Sequence, residues 1–195
     1  MTDEEGPLVD QTKEDVEYER LERLAEGWLS AEVKPDIRVM AATTATRAAL
    51  IVGRADVALR VLQHLERKML PATPNYPHRY MVIANMAYCH NALGDGGRPE
   101  HYEKAVKLLL RIKKLQEVRE DAPQPEPPIY SSWHAVDLAY AYKMLHRQDD
   151  CIASLREAAS FDAEFEELVW WFKDLHPQLS GDLDLVLQEV RARGG

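Results

Sequence analysis

Apolar residues recur at three- and four-residue spacing along most of this chain, and short polar, glycine- or proline-bearing breaks separate the runs. The pattern is plainest from Trp133 to Ala163. Ala135, Leu138, Ala139 and Tyr142 mark one face of a first helix, and Cys151, Leu155 and Ala158 mark one face of a second. The polar residues His146 to Asp149 form the tight turn between them. Upstream, Val39, Ala42, Ala45, Thr46, Ala49 and Leu50 predict a helix that ends at VGRAD (Val52 to Asp56). Its partner carries Ala58, Leu62, Leu65 and Met69. A middle pair places Ile83, Met86, Ala87 and His90 inward from one helix and Ala105, Leu109, Ile112 and Leu115 from the next, across GDGGRP (Gly94 to Pro99). The chain is therefore expected to be all-α, with helical hairpins over about 38–70, 79–120 and 130–162. Proline-bearing segments, Pro71 to Pro77 and Asp121 to Pro128, join them.

Both ends extend this series. Residues 1–11 are acidic and aperiodic, and are expected to be a disordered tail ahead of a single domain over 12–195. Thr12 and Asp15 form a capping-box pattern, and the helix that follows buries Leu21, Leu24, Ala25, Trp28 and Leu29 before ending ahead of Pro35. At the other end, two capping helices are expected over 163–192. In the first, Leu168, Val169, Trp170, Trp171 and Phe172 are consecutive, so they point all round a helix and call for cover on more than one side. The last helix, with Ser180 as its cap and Leu183, Val186, Leu187 and Val190 on one stripe, is expected to supply that cover. Otherwise Trp170, Trp171 and Phe172 form a homodimer surface.

The order of small positions (Ala139, Cys151, Ala158) and large ones (Leu138, Tyr142, Leu155) resembles a tetratricopeptide (TPR) repeat. Setting Ala58, Ala105 and Cys151 as equivalent gives spacings of 47 and 46 residues, against about 34 in a TPR. The hairpins would thus be lengthened, and a HEAT-like stack is the alternative. The resemblance implies a right-handed superhelix of three hairpins with extra N- and C-terminal capping helices, whose first helices line a concave groove. The groove positions it implies are Thr43, Arg47 and Leu50, then Met81, Ala84, Tyr88 and Asn91, then Trp133, Val136, Tyr140 and Lys143. Aromatic and aliphatic surface with a few polar heads suits a peptide or short helix of a partner protein. Some TPR domains clamp a C-terminal carboxylate with Lys, Asn and Arg. Here those positions hold Thr43, Arg47, Asn85, Trp133 and Asp137, so tails of that kind are not expected.

Composition narrows the function further. At 195 residues and 46% hydrophobic side chains the chain can bury a real core. No apolar run approaches the ~20 residues of a membrane helix. The acidic N-terminus has neither the basic nor the apolar region of a secretory signal. Cys89 and Cys151 sit within helical patterns, as buried thiols of a cytoplasmic protein would. Charge is segregated: residues 1–37 hold 12 acids and 4 bases, 38–119 hold 6 and 14, and 120–195 hold 15 and 6. The acidic ends could meet the basic middle, within one chain or between copies. Lys104, Lys107, Arg111 and Lys114 form a basic stripe, but no aromatics interleave, so nucleic acid is not an expected partner. No P-loop, GxGxxG, GxSxG or HExxH pattern occurs, and no catalytic, metal or cofactor site is expected. The sequence thus predicts a non-enzymatic adaptor binding a protein segment in a groove, with self-association through the tryptophan-rich helix as the alternative.

Overall fold

The computed structural model describes residues 44, 46, 49, 50, 53–68, 79–120, 130–161 and 165–194. The acidic tail, the helix expected over 12–34, the two proline-bearing connections, and Thr43 and Arg47 lie outside the described residues. The chain divides into two compact units, Met1–Pro74 and Asn75–Gly195. Every described element is helical, and no strand occurs among the described residues.

In the first unit, Thr44, Thr46, Ala49 and Leu50 are helical and precede α1 (Ala55–Lys68). Thr46 and Ala49 are buried, and α1 buries Ala58, Leu62 and Leu65 completely. The second unit holds α2 (Arg79–Asp95), α3 (Glu100–Glu120), α4 (Ser132–Met144), α5 (Gln148–Phe161), α6 (Phe165–Leu175), a 3₁₀ turn (Pro177–Leu179) and α7 (Ser180–Gly194). One core runs through all of them, with Ile83, Leu109, Leu138, Leu155, Phe172 and Leu183 among its members. The faces expected for α4 and α5 are all buried. A serine–histidine pair starts α4: Ser131 N–H donates to His134 Nδ1 at 3.2 Å.

Three interhelical turns among the described residues, those ahead of α1, α3 and α5, share one construction. Gly53, Gly97 and His146 have positive φ (78°, 87° and 58°), and each is followed by an arginine. The N–H of Arg54, Arg98 and Arg147 reaches back five residues to Ala49, Leu93 and Tyr142. The left-handed residue itself bonds three residues back in every case. This pair of bonds satisfies carbonyls that a helix C-terminus otherwise leaves open.

Counting from the left-handed residue also fixes the packing register. The fifth, ninth and twelfth residues beyond it are Ala58, Leu62 and Leu65, then Tyr102, Val106 and Leu109, then Cys151, Leu155 and Ala158, and all are buried. Tyr102, not Ala105, is therefore the equivalent of Ala58 and Cys151, and the spacings are 44 and 49 rather than 47 and 46. A tyrosine fits where the other hairpins carry small residues because α2 yields the space. A Cβ on Gly94 would lie 2.5 Å from the Tyr102 ring. The small residue has moved from the second helix of the hairpin to the first.

The C-terminal elements differ from expectation at the tryptophans. Phe165, Val169 and Phe172, at i, i+4 and i+7, form the buried face of α6. Trp170 and Trp171 step about 100° and 200° on from Val169, and they are 58% and 47% exposed. The stripe of α7 (Leu183, Val186, Leu187) joins the same core as Phe172 and leaves the tryptophan pair uncovered. Ser180 has helical φ and ψ (−52°, −48°), because the 3₁₀ turn runs directly into α7 without a separate cap.

Candidate functional site

α2 and α4 lie side by side and run the same way. Asn91 Nδ2 donates to the Asp137 carbonyl at 3.3 Å, and one turn farther along both helices the Tyr140 hydroxyl donates to Asp95 Oδ1. Tyr88, one turn before Asn91, thus stands level with the first turn of α4, where Trp133 sits. These two side chains stay open, Tyr88 at 41% and Trp133 at 43% exposure, while Asn91 and Tyr140 fill much of the face between the helices.

What fills it is a polar cluster. Asp95 Oδ1 also accepts the Tyr102 hydroxyl at 2.7 Å. The Tyr140 ring stacks on His176 (centroids 4.2 Å, 23° between planes), and His176 Nε2 stands 3.1 Å from Asp137 Oδ1. Burial first, and then the bond to Asp95, raises both phenols, Tyr102 to about 12. Both are therefore donors at neutral pH and hold the carboxylate as acceptor. Tyr88 is raised as well, by burial first and then by the Asp137 and Asp95 carboxylates, so both charges act on the exposed phenol. Asn91 Oδ1 is buried without a hydrogen-bond partner.

The expected groove residues accordingly separate. Tyr88 on α2 and Trp133 on α4 are both exposed, and Met81 is partly buried on α2. Asn91 and Tyr140 are each only 3% exposed, because α4 lies against Asn91 and His176 stacks on the Tyr140 ring. They form the floor rather than the lining. Lys143 is drawn away to α7, its Nζ 2.7 Å from Asp182 Oδ2 and 3.2 Å from Gln148 Oε1. Phe172 is fully buried against the edge of Trp133 (4.8 Å, 79°) and offers nothing to a partner. Three residues of the cluster were missed in the sequence. Asp95 continues the Tyr88–Asn91 stripe at i+7 and could have been found, and Tyr102 would have followed from counting from Gly97. His176, 36 residues beyond Tyr140, leaves no local trace.

Elsewhere, chemistry is muted. Burial raises the Cys89 thiol to about 12 and Cys151 to about 11, so neither is a thiolate at neutral pH. His90 and His101 share one hydrogen bond between their Nδ1 atoms at 2.8 Å across the α2–α3 turn. Among the described residues, no group of three or more His, Cys, Asp or Glu could hold a metal ion. No described helix is long and apolar enough to cross a membrane. No protein-family model matches this sequence, and no curated protein or solved structure matches it either.

Proposed function

We propose that this chain is a non-enzymatic protein-interaction module of TPR-like hairpins whose α2–α4 face takes up an extended peptide or short helix of a partner. Support for TPR-like stacking comes from the repeated left-handed turns and from the common buried positions that follow them. The observation that carries the binding reading is that Tyr88 and Trp133 are both half-open, on neighbouring helices and at the same level of them. Such aromatics give contact area at low entropic cost. Asp95 and Asp137 give that surface a negative flank, so it favours a segment with Lys or Arg beside an apolar residue. This charge is opposite to that of a carboxylate clamp.

Selection of peptides from a displayed random library on the whole protein tests the reading. Enrichment of basic–apolar sequences is expected, and Tyr88→Ala with Trp133→Ala should weaken them by about tenfold or more while helical circular dichroism persists. Acidic winners, or peptides that bind the double variant equally well, would overturn it.

A further inference from the structure

A second surface is independent of that face. The rings of Trp170 and Trp171 lie against each other (centroids 4.1 Å) at 58% and 47% exposure, and Leu175, one turn beyond Trp171, is 47% exposed. Three large apolar side chains uncovered on one 11-residue helix are an interaction surface by ordinary standards. The rim is acidic. Glu167 and Asp174 are exposed, and the single base of the helix, Lys173, is tied to Asp184. Two such faces pressed together would oppose like charges, which disfavours a symmetric dimer through α6.

The complement is displayed by the chain itself. On α3, Lys107, Leu110 and Lys114 follow at i, i+3 and i+7, with Lys104 on the same stripe, and Leu110 is 41% exposed between the lysines. α3 packs on α2 and α4, whereas α6 packs on α7, the 3₁₀ turn and α5, so the two faces stand on helices with different neighbours. We propose that α6 of one copy docks through Trp170 and Trp171 onto the basic Leu110 face of α3 in a second copy. The contact is head-to-tail, so the joined pair keeps one free face of each kind and assembly continues beyond two copies.

Sedimentation of the full chain from micromolar to near-millimolar concentration tests this. The mass is expected to rise above 22.3 kDa without a plateau at two copies, and to fall back with added salt. Trp170→Ser with Trp171→Ser removes one face, and Lys107→Glu with Lys114→Glu removes the other. Each variant alone should associate about tenfold or more weakly. Mixing them should restore a 1:1 complex that grows no further, because only one competent pair of faces remains. That restoration also shows that both variants are folded. Leu175→Ser and Leu110→Asp address the same two faces with single changes and should give the same pattern. A monomer throughout the range, a dimer indifferent to the lysine changes, or failure of both variant pairs to complement would each overturn the proposal.

Discussion

The second and third hairpins close with the same backbone hydrogen bonds, yet they solve the packing beneath the turn in opposite ways. In the third, the strained conformation falls on a non-glycine residue, His146 (φ 58°), and the close approach of the helices is allowed by Cys151. In the second, Gly97 takes the left-handed position without cost, Tyr102 fills the close-approach site, and Gly94 on the facing helix makes room for it. The volume between two helices is what is held constant; which helix carries the small residue is free to change. Tyr102 also brings a hydroxyl that the cysteine lacks. That hydroxyl shares Asp95 Oδ1 with Tyr140, whose own bond to it joins the third hairpin to the second.

The largest way to break this arrangement is Gly94→Ala. The new methyl would meet a ring that cannot retreat freely, since its hydroxyl is held by Asp95. A loss of about 3 kcal/mol in urea unfolding is expected, at the upper end of overpacking costs. Adding Tyr102→Cys, which copies the third hairpin, should recover part of that loss, so the double variant falls short of the sum of the single changes. Additivity of the two would refute the compensation.

A comparable effect comes from acid. Only one of the His90 and His101 Nδ1 atoms can donate in their shared bond, so protonating the acceptor turns attraction into repulsion. Burial first, then His101 and Lys104, lowers His90 from 6.5 to about 4. A histidine depressed on folding leaves stability intact above its unfolded value and removes it as pH falls through the window between the two. Stability is thus expected to decline from about pH 6.5 towards pH 4, by no more than about 3 kcal/mol. Hydrogen exchange across this window should show α2 and α3 losing protection, and replacing both histidines by glutamine should flatten the slope. The smallest effect is His146→Gly. Relief of the left-handed strain, less the added entropy of the unfolded glycine, should stabilise the fold by about 0.5–1 kcal/mol, seen as a raised denaturation midpoint.

Helices and their buried faces were legible in the sequence wherever apolar spacing was clean, as for Ala135, Leu138 and Leu155. Register was less so. Counting alanines selected Ala105, because no sequence rule indicates that a tyrosine can replace a small residue when a glycine faces it. In the tryptophan-rich helix five consecutive apolar residues give no preferred face and predict cover on more than one side; tertiary packing selects Phe165, Val169 and Phe172 and leaves the tryptophans outside. Of the site, Tyr88 and Trp133 were legible from helix position. The Asp95–Tyr140 and Asp137–His176 pairs span 45 and 39 residues, beyond any local pattern.

The two thiols carry one more consequence. Cys89 lies in the second hairpin and Cys151 in the third; both are 0% exposed and protonated at neutral pH. Each is shut off from alkylating reagents and oxidants for as long as its own helices stay together. The chain therefore holds two internal clocks, one per hairpin, and the order in which they are modified records which hairpin breathes first.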